Sequence, residues 1–79
     1  MEGSTTLALE TIEVPLAGKI IDVKVSVGGR VQEGDVICIL ESMKMENPIL
    51  SPVSGVVKEI QVSPDQVVKA GGIIAVIEY

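Results

Sequence analysis

Val36-Ile37-Cys38-Ile39-Leu40-Glu41-Ser42-Met43-Lys44-Met45-Glu46-Asn47-Pro48 is the stretch on which the reading of this chain turns. The apolar run Val36–Leu40 reads as a strand, and Asn47-Pro48 is a turn-favouring pair, so the residues between them sit where two strands meet. One lysine is then held between two thioethers at a turn. A lysine in a turn is ordinarily a solvated charge, and a methionine ordinarily fills a gap in a core. Two methionines flanking a charge at a turn cannot both be buried, however, and exposed apolar side chains at a protruding tip mark recognition. Lys44, with Met43 and Met45, is therefore the candidate functional centre.

Outward from this stretch the chain repeats itself at a spacing of 37 residues. Pro15 falls on Pro52, Gly18 on Gly55, Val25-Ser26 on Val62-Ser63, Val31 on Val68, Gly34 on Gly71, Ile37 on Ile74 and Glu41 on Glu78. Ile20 with Val57, Val23 with Ile60 and Leu40 with Ile77 extend the match conservatively. Such self-similarity implies two copies of one supersecondary unit. The copies span about residues 14–41 and 51–78 and read as strand-turn-strand units. Residues 42–50 join them and hold Lys44 at the junction.

The units read as strands. Val and Ile supply 23 of the 79 residues, a β-branched excess that favours pleated, half-buried structure. Breakers recur at Gly28-Gly29, Gly34-Asp35, Asn47-Pro48, Pro64-Asp65 and Gly71-Gly72, which leaves room for strands only. A lone hairpin is marginal in water, whereas two related sheets packed face to face share one core. The expected fold is all-β: a flattened antiparallel barrel-sandwich of two related four-stranded sheets with pseudo-twofold symmetry. Residues 1–10, with Gly3-Ser4-Thr5-Thr6, read as a flexible tail or linker remnant, and residues 11–79 as the domain. The core must be aliphatic, because Phe and Trp are absent and the sole aromatic is Tyr79.

Composition excludes several kinds of chemistry. A net charge of −5 with scattered basic residues argues against a nucleic-acid partner, which demands clustered cations. No apolar run reaches membrane-spanning length, and the acidic start lacks the pattern of a secretory signal. With no His and one Cys, neither a zinc site nor a Cys-His nucleophile can be assembled. Cys38, between Ile37 and Ile39, reads as a small core hydrophobe in a reducing compartment.

The Met43-Lys44-Met45 tripeptide, its Glu41–Asn47 setting and the repeat from Val14 to Glu78 together resemble the biotin carboxyl carrier domains. The resemblance implies that Lys44 sits on a tight β-turn and is acylated by biotin on its ε-amino group. A biotin protein ligase would activate biotin with ATP, making this domain a macromolecular substrate and not an enzyme. The biotinyl arm would then carry carboxyl groups from a biotin carboxylase to a carboxyltransferase or a decarboxylase subunit. Met43, Met45, Glu41, Ser42 and Glu46 would form the surface that partners recognise. Ser42 stands where many relatives have Ala, and Pro48 is compatible with a strand only at an edge. No segment interrupts Gly18–Gly29, where some carriers insert a thumb, which favours the thumbless carriers of acyl-CoA and pyruvate carboxylases or of decarboxylases. The implied location is the cytoplasm, or the mitochondrial matrix if the domain was excised from a larger eukaryotic enzyme. Alternatives from the same residues are a lipoyl or dual biotin and lipoyl carrier, and an unmodified adaptor module.

Overall fold

The computed structural model describes residues 8–79; most of the expected tail, residues 1–7, lies outside the described residues. Eight strands follow in order: β1 (Leu9–Glu13), β2 (Gly18–Val23), β3 (Arg30–Val31), β4 (Val36–Ser42), β5 (Met45–Leu50), β6 (Gly55–Ile60), β7 (Val67–Val68) and β8 (Ile73–Glu78). Among the described residues there is no helix. Strand β1 begins at Leu9, two residues before the expected domain start.

Two four-stranded sheets form, in the orders β1-β8-β6-β3 and β5-β4-β2-β7, with every pair antiparallel. The barrel-sandwich expected from the repeat is thus the observed architecture. The repeating unit differs from the expected strand-turn-strand. Each copy contributes three strands, β2–β4 or β6–β8, and its short middle strand crosses to the other sheet: β3 pairs with β6, and β7 pairs with β2. Neither copy completes a sheet alone.

The pseudo-symmetry extends to irregularities. The β2·β4 ladder slips between Ile20 and Asp22, and the β6·β8 ladder slips at the equivalent Val57 and Glu59. The buried side chains also come in pairs 37 apart: Ile20 with Val57, Ile37 with Ile74, Cys38 with Ala75 and Leu40 with Ile77. Burying one such Ile or Leu is worth about 2–3 kcal/mol, so the two copies contribute to a single core in near-equal parts. Gly18 and Gly55 show why the same glycine recurs. A Cβ on Gly18 would run into the carbonyl oxygen of Glu41, and one on Gly55 into that of Glu78. Any side chain there would push apart the strands that carry the core.

The junction also departs from expectation. Asn47 and Pro48 lie inside β5, and the turn consists of Met43 and Lys44 alone. Strand β5 is at a sheet edge, where a residue without an N–H is tolerated, and Pro48 pairs with Ile39 there. None of the described residues form a helix long and apolar enough to cross a membrane.

Candidate functional site

Strands β4 and β5 form a hairpin in which Ser42 pairs with Met45 and the two residues between them make the whole turn. Met43 has φ 54° and Lys44 φ 64°. Two successive left-handed residues define the type I′ geometry whose twist matches that of the flanking strands. Such turns ordinarily take Asn-Gly or Asp-Gly. A side chain in the left-handed region costs roughly 1 kcal/mol, so the hairpin accepts strain at both residues in order to hold a methionine and a lysine at its tip.

Neither methionine packs. Met43 is 90% and Met45 65% exposed, in a protein whose other large apolar side chains mostly close over a core. Lys44 is exposed too, and the ion pairs formed among the described residues use Lys19 with Asp65, Lys24 with Asp22 and Lys58 with Glu78, leaving Lys44 out. Its ammonium is therefore not tied down by a carboxylate of the described residues. Behind the tip, Glu41 faces Glu46 directly across the ladder. Like charges placed opposite each other are mildly destabilising, and the hairpin retains this pair beside its lysine. Lys19 lies across from Glu41 on the other side but directs its amine to Asp65, 3.7 Å away.

Two side chains fasten the hairpin. Ser42 Oγ donates to the carbonyl of Ala17 at 2.9 Å, joining the end of β4 to the segment before β2. Asn47 Nδ2 donates to the carbonyls of Met45 at 3.2 Å and of Leu40 at 3.4 Å. Asn47 was not among the residues expected to matter at the site, because Asn-Pro was read as a turn. The available signal was that Asn is unfavourable inside a strand unless its amide bonds the backbone nearby.

The pole opposite the hairpin has the same pairing without a turn. Lys19 pairs with Glu41 and Gly18 with Val68, so β2 starts and β7 ends near the hairpin. Strand β8 leaves from that end and runs about 20 Å away from it. There Ala8 and Tyr79 exchange both backbone hydrogen bonds, at 2.8 and 2.9 Å. They are the positions 37 residues from Met45 and Ser42.

Elsewhere among the described residues nothing competes as a centre of chemistry. Cys38 is fully buried, and burial pushes its thiol up to about 11, far from the thiolate a nucleophile requires. No group of three or more metal-ligating side chains gathers among the described residues. An open concavity of about 640 Å³ beside β3, lined by Arg30, Gln32, Glu33, Asp35 and Ser54, includes no residue of the hairpin tip.

Comparison with known proteins identifies the family and the fold. A family model described as "Biotin-requiring enzyme" matches residues 10–77. The chain belongs to this biotin-requiring family. Among relatives, the biotinylated protein TB7.3 homolog of Mycobacterium leprae is 43% identical over 68 residues, covering 86% of this chain and 96% of that protein. The biotin carboxyl carrier protein of Streptococcus mutans is 44% identical over 68 residues, covering 86% of this chain and 52% of that protein. The mitochondrial pyruvate carboxylase of Rattus norvegicus is 39% identical over 67 residues, but the match spans only 6% of that much longer chain. Of solved structures, the urea carboxylase of Kluyveromyces lactis superposes with a TM-score of 0.82 at 31% identity, over 89% of this chain and 6% of that one. Members of the biotin-requiring family thus occur as small proteins and as short segments of large carboxylases.

Proposed function

We propose that Lys44 is the covalent attachment point for biotin, and that the domain is a biotin carboxyl carrier shuttling a carboxyl group between a biotin carboxylase and a carboxyltransferase or decarboxylase. The observation that carries this reading is the exposed Lys44 at the tip of a strained two-residue turn, flanked by two exposed methionines. The donor fits the group: a primary amine on a flexible stem, at a protruding tip and outside any ion pair of the described residues, is open to acylation. Attached biotin supplies the atom that carries the carboxyl group. The chain's own part is to present, orient and tether.

Presentation comes first. Met43 and Met45 offer soft, adaptable apolar contacts to a partner enzyme, while Glu41 and Glu46 offer an acidic face for cationic side chains on the partner. A biotin protein ligase is the inferred modifying partner, and it must supply activated biotin, because the domain has no histidine and its thiol is buried. Tethering then keeps the local concentration of the arm high at each partner's site. The rigid aliphatic barrel keeps the arm off the domain's own surface.

The test is intact mass with peptide mapping after incubation with biotin, ATP and a biotin protein ligase, beside a matched lipoate ligase reaction. One biotinyl group on Lys44 is expected, and none in Lys44→Arg, which keeps the charge but loses the acylable amine. Biotin on Lys19, Lys24, Lys58 or Lys69 in that variant would overturn the assignment, and lipoylation alone would move the domain to the lipoyl carriers. Met43→Ala with Met45→Ala should lower biotinylation while leaving the melting temperature unchanged. The reverse result would make the methionines structural.

A further inference from the structure

We propose that Ser42 and Asn47 are positioning residues that together hold Met43 and Lys44 in the left-handed turn from which the amine is acylated. The inference rests on the reading of Lys44 as the acylated residue. A type I′ turn built from Met and Lys is not the conformation those residues choose by themselves, so something outside the turn must hold it. The hairpin supplies one fastening on each arm. On the incoming arm, Ser42 Oγ donates to Ala17 O at 2.9 Å, fixing the residue just before the turn. On the outgoing arm, the Asn47 amide donates to Met45 O at 3.2 Å and to Leu40 O at 3.4 Å, fixing the residue just after it against the opposite strand.

The pseudo-symmetry provides an internal control. The positions 37 away from Ser42 and Asn47 are Tyr79 and Glu10. Among the described residues, neither makes a side-chain hydrogen bond of this kind. Of the two poles, only the one that closes in the strained turn shows both fastenings among the described residues. With both arms fixed, the gap between Ser42 and Met45 is closed by two left-handed residues. Loss of either fastening lets one arm splay and the turn relax toward wider, right-handed conformers.

Such relaxation acts on Lys44 through leverage. Its amine lies at the end of a four-carbon stem, so a modest backbone rotation at the turn moves Nζ by several times the error that an acyl transfer tolerates at a reacting distance near 3 Å. Docking by the acidic pair Glu41 and Glu46, which stays in the ladder behind the turn, survives this motion, whereas delivery of the amine does not. The expected signature is a loss in kcat with KM nearly unchanged.

The experiment measures steady-state biotinylation of the full chain by a biotin protein ligase with biotin and ATP, for wild type, Ser42→Ala, Ser42→Thr and Asn47→Ala. Amide hydrogen exchange at residues 43–45 of the unmodified proteins is measured alongside. Ser42→Ala and Asn47→Ala should each lower kcat about three- to tenfold, the range set by one hydrogen bond, with KM within about twofold and faster exchange at the turn. Ser42→Thr, which keeps the hydroxyl, should restore both. Wild-type kcat in both alanine variants, a loss confined to KM, or unchanged exchange at the turn would each overturn the proposal. A wild-type chain that acquires no biotin on Lys44 would instead remove the functional reading beneath it, an outcome separable from normal acylation of the variants.

Discussion

At one pole of the barrel Ser42 and Met45 are bridged by Met43 and Lys44; at the other, Tyr79 and Ala8 hold the equivalent pairing with no turn between them. The ladders behind both poles match down to their slips in register, and the same glycine prevents a clash at each. The tip itself has no counterpart at the other pole: two left-handed non-glycine residues, two exposed thioethers, two side-chain fastenings and a facing pair of glutamates. Stability is built from what the halves share. The proposed function is added where they part, in residues that cost stability.

That division can be broken at its strongest point first. Ile37→Ala and Ile74→Ala remove equivalent fully buried side chains, so each should cost about 2–5 kcal/mol, and the two should agree within about 1 kcal/mol in denaturant unfolding. A large disagreement would mean that one copy dominates the core. Next, Gly18→Ala and Gly55→Ala should each cost about 1–3 kcal/mol from the forced strand separation. Only Gly18→Ala should also slow acylation, because the carbonyl it displaces belongs to Glu41 on the hairpin arm. Equal slowing by both would show that loss of stability alone controls the reaction.

A smaller contrast separates Cys38 from its mate Ala75. Cys38→Ala should cost about 1 kcal/mol. Burial raises the folded thiol to about 11 from an ordinary 9.0, so the unfolded chain releases this proton first and stability falls as pH rises from about 9 to about 11. That part of the alkaline loss should be missing in Cys38→Ala when unfolding is followed against pH. The least effect is expected at Asp65, which has φ 70° where its mate Gly28 has φ 88°. Asp65→Gly should raise stability by about 0.5 kcal/mol, as relief of the left-handed penalty slightly exceeds the added chain entropy.

The barrel was legible in the residues because each copy must bury the same positions, and burial leaves an apolar signature 37 residues apart. The exposed tip was legible because two methionines beside a charge at a turn have no packing explanation. The exchange of β3 and β7 between sheets was hidden, since strands of two residues carry no period of their own. Asn47-Pro48 reads as a breaker yet lies inside a strand, because local preference yields to pairing: an edge strand admits the proline, and the asparagine satisfies its amide on the neighbouring backbone. A left-handed Met-Lys pair leaves no mark in sequence, because its conformation is imposed by the arms on either side.

The exchanged short strands also set a schedule for synthesis. As the chain leaves a ribosome, β2 waits for β7, about 50 residues downstream, so pairing is dominated by contacts between distant parts of the chain and folding is correspondingly slow. The hairpin bearing Lys44 can form early, yet the barrel beneath it closes only when the second copy is nearly finished. A ligase that reads the finished barrel would therefore leave truncated or nascent chains unlabelled, making topology itself a form of quality control.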